Sequence, residues 1–215
     1  MPIPKPPFHP AVAEPFILGT DVSRWSSLKD WPALYEQGVR FMFAQTSYGA
    51  KAAPKALEHV SGAHAAGVVP GCYHYLRGDM AADAQASAFI AAVSAIEKKI
   101  GACVALALDL EDPNSGGEWP REAYEATALQ WIKLVRAYFD DRPVAVYIGA
   151  DYAKQLRLVP WFAESPLWLA AWKTSTPKIP APWSDWAVWQ YAGGTEDWNV
   201  SRMSVEEFRA MMGLS

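Results

Sequence analysis

An irregular, TIM-like (β/α) barrel, an α/β fold of eight strands with fewer helices in its C-terminal half, is what two features of this chain predict. Apolar, strand-like runs alternate with helix-like stretches that close on glycine, which argues for a parallel sheet. From Leu167 onward strands continue without a full helix between them. A doubly wound nucleotide-binding sheet fits less well, because no Gly-rich phosphate loop follows the first strand. We expect a Pro-rich arm over residues 1–16 and one barrel domain over 17–215, with no internal repeat.

The elements follow in order. Leu18 to Ser23 reads as a short strand ending near Asp21, and Trp31 to Gln37, closed by Gly38, as the first helix. Arg40 to Thr46 is a second strand, Ala52 to Ala66 a helix ended by Gly67, and Val68 to Tyr75 a third strand. An alanine-rich helix spans Ala81 to Lys98. The fourth strand, Val104 to Glu111, is a continuous apolar run of the kind buried on both faces, stopped by the turn residues of 112–117. Arg121 to Phe139 is helical, Val144 to Ile148 a fifth strand, and Ala150 to Leu158 a helical stretch. Leu167 to Ala171, Ala187 to Tyr191 and a brief segment at Trp198-Asn199 supply the late strands, and Ser204 to Met212 the last helix.

Composition excludes several classes of partner. The chain has 215 residues, 51% of them hydrophobic, so it can bury a large core. A net charge of −4 and the absence of a basic tract give no pull toward nucleic acid or an anionic membrane. No apolar run reaches the length of a membrane span. The 11 Trp and 9 Tyr exceed what a core of this size needs, and such rings suit sugar faces. Cys72 and Cys103 read as buried free thiols without catalytic weight.

The fourth strand carries the chemistry. Side chains alternate along a strand, so Asp109 and Glu111 share a face, roughly 7 Å apart along it. Two carboxyls at the end of a buried strand are costly, since burial and mutual repulsion both oppose their charged forms; such cost usually accompanies chemistry. In a barrel, functional groups gather at the C-terminal ends of the strands. That rule collects Asp21, Tyr73, His74, Tyr75, Asp109, Glu111, Tyr147, Trp172, Gln190 and Asp197 at one mouth. Glu111 is the candidate for a raised pKa, with Asp109 holding negative charge beside it. Glycosidic bond cleavage fits both needs, wanting a proton donor and passing through an oxocarbenium-like state. Metal binding is the rival reading for clustered carboxyls, but no HExxH or paired-Cys spacing exists. Nucleophilic schemes lack a GxSxG motif.

The same residues resemble the family 25 glycoside hydrolases, the Chalaropsis-type lysozymes. The resemblance runs from about Leu18 to Phe208. It rests on Gly19-Thr20-Asp21-Val22-Ser23 with Trp25, Gly71-Cys72-Tyr73-His74-Tyr75, Leu108-Asp109-Leu110-Glu111, Val146-Tyr147-Ile148, Pro166-Leu167-Trp168-Leu169-Ala170, Trp189-Gln190-Tyr191 and Asp197-Trp198-Asn199. It implies a retaining-type muramidase acting without metal or organic cofactor on peptidoglycan glycan strands, as a monomer, at the β-1,4 bond between N-acetylmuramic acid and N-acetylglucosamine. It implies Glu111 as general acid/base and Asp109 as nucleophile or as orienter of the substrate's 2-acetamido group. Asp21 and Asp197 match two further acidic positions of the family cleft. Tyr73, His74, Tyr75, Tyr147, Trp172 and Gln190 are the expected substrate-binding set. A departure follows the second strand, where a Lys-Ala-Thr-Glu-Gly pattern is replaced by Gln45-Thr46-Ser47-Tyr48-Gly49.

Two other readings stay open at this point: a glycosidase acting on chitin-like glycans, and a non-catalytic glycan-binding barrel. The N-terminus lacks the apolar run of a signal peptide, so we expect synthesis in the cytoplasm and release in the manner of a phage endolysin, or delivery by secretion machinery.

Overall fold

The computed structural model describes residues 3–5, 16–111, 120–156, 158–194 and 196–214. The strands are β1 (Ile17–Val22), β2 (Val39–Tyr48), β3 (Lys51–Ala52), β4 (Val69–Tyr75), β5 (Ala105–Leu110), β6 (Val144–Gly149), β7 (Leu167–Ala170), β8 (Val188–Ala192) and β9 (Asp197–Ser201). The α-helices are α1 (Trp31–Glu36), α2 (Ala56–Ala65), α3 (Ala82–Ile100), α4 (Arg121–Tyr138), α5 (Ala150–Leu156) and α6 (Val205–Met211). Eight strands close into a barrel in the order β1-β2-β4-β5-β6-β7-β8-β9, while β3 is a short hairpin partner of β2. Neighbours run parallel except β9, which is antiparallel to both β8 and β1 and closes the ring. This is the predicted irregular barrel.

Strand alternation divides the apolar residues into two layers. Phe41, Phe43, Val69, Tyr73, Ala105, Ala107, Ala145, Tyr147, Trp168 and Val188 fill the interior. Alanines on β5 and β6 leave room for the rings that enter from β2 and β7, and Phe43 stacks on Trp168 with centroids 4.5 Å apart. Phe208 of α6 lies 4.7 Å from Phe41 and joins this interior cluster with Met212. That helix starts on a capping box between Ser204 and Glu207. Gly71 is required where β4 passes β2, because a Cβ there would stand 2.4 Å from the Phe43 ring and 2.9 Å from the Met42 carbonyl oxygen.

The outward faces of β4 to β6 pack under the long helices, with Phe89, Val93 and Ile96 of α3 and Trp131, Ile132 and Val135 of α4 fully or almost fully buried. Beyond β7 this cover changes. Trp183, Trp186, Trp189 and Tyr191 take the place of helices there, and two of the indoles are fixed by donating to main-chain oxygens, Trp183 to Ser165 and Trp189 to Ala171, each at 2.8 Å. Much of the tryptophan excess is therefore spent outside the barrel.

Several boundaries differ from expectation. The helix expected over Ala52–Ala66 begins at Ala56, because Lys51 and Ala52 turn back at Gly49 and pair with Ser47 and Tyr48. Gly49 has φ +53°, the left-handed geometry glycine accepts readily. Cys72 is buried as expected, but Cys103 is exposed; it precedes β5 and accepts a hydrogen bond from Arg142 at 3.4 Å. Of the N-terminal arm only residues 3–5 and 16 are described: Ile3 packs on the outer core and the Pro4 carbonyl accepts from Tyr191 Oη at 2.8 Å. The rest of the arm and the turn at 112–117 lie outside the described residues.

Candidate active site

Three local geometries bring the carboxyls together. Asp109 lies near the end of β5 with Glu111 one pleat further, so both point to the mouth. Asp21 sits directly opposite Asp197 across the antiparallel β1–β9 pairing. Asp109 is in register with Tyr75 on one side and Tyr147 on the other, and Tyr147 with Trp168. The result is a cavity of about 240 Å³ lined by Asp21, Ser23, Tyr73, Asp109, Glu111, Tyr147, Trp168, Trp172, Gln190 and Asp197. It shares Glu111, Tyr147 and Trp172 with a larger lobe of about 630 Å³ that runs over α5 to Thr174, Thr176 and Lys178. The two lobes form one trough.

The carboxyls differ in surroundings. Asp109 is buried, and burial, followed by the charges of Glu111 and Asp21, holds its pKa well above the usual carboxylate range. It shares a side-chain hydrogen bond with Glu111, while its Oδ1 is buried without a partner among the described residues. Glu111 is exposed at the trough. The sequence assigned the standing charge to Asp109, whereas burial inside the barrel makes Asp109 a carboxyl that favours its protonated form, with Glu111 one residue past the strand.

Asp21 is pushed up to about 7, first by burial and then by Asp197, against hydrogen bonds that favour its charged form. Its Oδ2 accepts from Gln190 Nε2 at 2.8 Å and Asn199 Nδ2 at 2.7 Å. Both amides are oriented from behind. Gln190 Oε1 accepts from Tyr147 Oη and Trp172 Nε1, each at 3.0 Å, and Asn199 Oδ1 from Trp168 Nε1 at 2.7 Å. An indole nitrogen only donates, so it compels each amide to turn its oxygen away from Asp21 and its NH₂ toward it. Asp197 is raised by burial and by Glu196, and its Oδ1 accepts from the Gly194 amide at 3.3 Å.

Most of the expected set is thus gathered: Asp21, Asp109, Glu111, Asp197, Tyr73, Tyr147, Trp172 and Gln190 all line the cavity. Two do not. His74 points outward from β4, fully buried, hydrogen-bonded to Ser47 Oγ at 2.8 Å and Gln85 Oε1 at 3.2 Å and stacked on Trp131. Burial lowers its pKa to about 3, so it is a neutral wall residue. Tyr75 shares the face of Tyr73 but stacks on Tyr48 at the rim, outside the cavity lining. Ser23, Trp168 and Asn199 were missed as site residues. Trp168 and Asn199 stand in motifs quoted above, and their two-residue spacing from Ala170 and Asp197 signals the inward face. Among the described residues, no group of three or more His, Cys, Asp or Glu could hold a metal ion.

Comparison with known proteins agrees with this fold. A protein of Escherichia coli K12, YegX, whose name assigns it no function, is 27% identical over 210 residues, covering 91% of this chain and 73% of that protein. Lysozyme M1 of Streptomyces globisporus is 24% identical over 186 residues, covering 82% of this chain and 62% of its own length. The fold is that of the family 25 lysozyme of Aspergillus fumigatus, with a TM-score of 0.80 at 22% identity over 92% of this chain and 99% of that one. Residues 20–198 match the profile of the Glycosyl hydrolases family 25, from the first acid of the site to just past the last, and the chain belongs to that family of glycoside hydrolases.

Proposed function

We propose that this enzyme is a muramidase that hydrolyses the β-1,4 bond between N-acetylmuramic acid and N-acetylglucosamine in peptidoglycan. The observation that carries this reading is the hydrogen-bonded Asp109–Glu111 pair, one carboxyl buried and one open to the trough. The name of lysozyme M1 supports the wall-directed substrate.

Glu111 is the group that reaches the glycosidic oxygen. Asp109, favouring its protonated form, donates to Glu111 through one oxygen, and its unpartnered Oδ1 accepts the N–H of the 2-acetamido group. The shared proton passes to Glu111 and on to the leaving oxygen as the C1–O bond breaks, while the acetamido oxygen bonds to C1. Asp109, now anionic, stabilises the cationic ring so formed, and the carboxyls of Asp21 and Asp197 face the same cavity. Water then opens the ring, giving its proton back to Glu111. Burial and a raised pKa disfavour Asp109 as the attacking nucleophile, which is why the substrate-assisted route is chosen from the two paired-carboxyl schemes.

Glu111→Gln keeps the shape of the side chain and removes its capacity to pass the proton on. New reducing ends released from purified peptidoglycan should fall by about 10²–10⁴-fold, with the thermal transition unchanged. Retained turnover would remove Glu111 from the mechanism. Faster release from chitin oligomers than from peptidoglycan by the unaltered enzyme would reassign the substrate.

A further inference from the structure

At the C-terminal end of β2, Gln45 and Tyr48, which stand where the family pattern has lysine and glutamate, both converge on Arg24. Gln45 Oε1 accepts the Arg24 backbone N–H at 3.2 Å and fixes the chain there. The Tyr48 ring lies 4.3 Å from the guanidinium carbon, and Trp25, 79% exposed, lies 4.9 Å from it. Tyr48 is itself held, stacked on Tyr75 at 4.9 Å and accepting from Arg77 Nη1 at 2.6 Å. Arg77 is occupied by Asp79. Arg24, in contrast, forms no side-chain ion pair or hydrogen bond among the described residues.

An aromatic face orients a guanidinium without neutralising it, so its in-plane N–H donors remain available. Arg24 directly follows Ser23, which lines the cavity. Tyr48 stacks on Tyr75 at the rim, so the guanidinium on its face is a cation held at the edge of the mouth into which the carboxyls point. A planar fork of this kind matches a carboxylate. Across the mouth, Lys154 and Lys178 border the larger lobe, but Lys154 is paired with Asp151 and is 60% exposed. Neither lysine has a ring holding it in place among the described contacts.

We propose that Arg24, held by Tyr48, Trp25 and Gln45, is a specificity subsite that binds a carboxylate carried by the glycan strand. This rests on the muramidase reading and names what distinguishes the charged strand from neutral chitin. Two sources supply that chemistry: the 3-O-lactyl carboxylate of muramic acid, where it is free, and carboxylates of the stem peptide.

The test compares the unaltered enzyme with Arg24→Gln and Arg24→Lys on intact peptidoglycan, on peptide-stripped strands with free lactyl carboxylates, and on stripped strands amidated to neutrality. Arg24→Gln should raise KM about tenfold on the carboxylate-bearing strand, with kcat little changed and no shift on the neutral strand. Arg24→Lys should restore part of the loss, keeping the charge without the fork. A loss confined to intact peptidoglycan assigns the stem peptide; a loss on stripped strands assigns the lactyl group. An equal rise in KM on all three substrates, or none, overturns the proposal. Calorimetric binding of the charged and neutral strands separates it from the reading beneath it. Arg24-dependent affinity without turnover would sink the hydrolase and keep the subsite, while turnover blind to Arg24 would do the reverse.

Discussion

A carboxylate that accepts two amide N–H bonds ordinarily titrates low, yet Asp21 is pushed up to about 7. Burial and the facing Asp197 outweigh the donors, so the donors limit the rise rather than reverse it. Their orientation depends on residues that never touch Asp21: Trp172 and Tyr147 behind Gln190, and Trp168 behind Asn199. Gln190→Leu removes one donor to the ionised form, so Asp21 should titrate above its present value of about 7, followed by carboxyl-carbon NMR. An unchanged or lower midpoint would show that the amide does not set the charge there. The sequence made Gln190 legible as a strand-end polar residue. It could not reveal Asn199 as its counterpart, because that pairing depends on where β9 closes the ring.

At the level of single strands, β4 shows both the reach of sequence reading and its slip. The rule that function gathers at strand ends took Tyr73, His74 and Tyr75 together, whereas the two-residue period of a strand separates them. Tyr73 enters the barrel; His74 leaves it, toward α3 and α4, where its ring lies 5.0 Å from Trp131 and nearly parallel to it. With both ring nitrogens hydrogen-bonded in a site without water access, His74 is a packing residue. His74→Ala should cost about 2–4 kcal/mol of stability in urea denaturation, from a cavity and from the lost partners of Ser47 and Gln85. The folded fraction should keep its KM. A rise in KM at unchanged stability would return His74 to the substrate wall. The hairpin of β2 and β3 was less legible still, since Ala52 through Ala66 has helical composition and the turn-back rests on the backbone at Gly49.

The whole molecule carries four carboxyls into one barrel mouth, and the class of fold predicted from strand–helix alternation is what places them. What alternation could not supply is the degree of burial, which decides the protonation of each group. Asp21, Asp109 and Asp197 are all raised, with burial as the largest cause in each. The consequence for stability has a definite sign. Between the unfolded carboxylate value of about 4 and about 7, Asp21 keeps its proton in the folded state and has lost it in the unfolded one. At Asp21 the native state then binds more protons, so the contribution of this group to stability falls as pH rises through that window. The stabilising effect of Asp79, lowered by Arg77, is complete above about pH 4 and adds no slope there, whereas His74 and His59, lowered by burial to about 3 and about 4, add a rising slope up to the free imidazole value of about 6.5. Asp21→Asn, which has no proton to lose, should remove the declining part, so that the urea midpoints of the variant rise more steeply from pH 4 to 7 than those of the unaltered enzyme. Parallel midpoint curves for the two proteins from pH 4 to 7 would mean that Asp21 has already lost its proton in the folded state across that window.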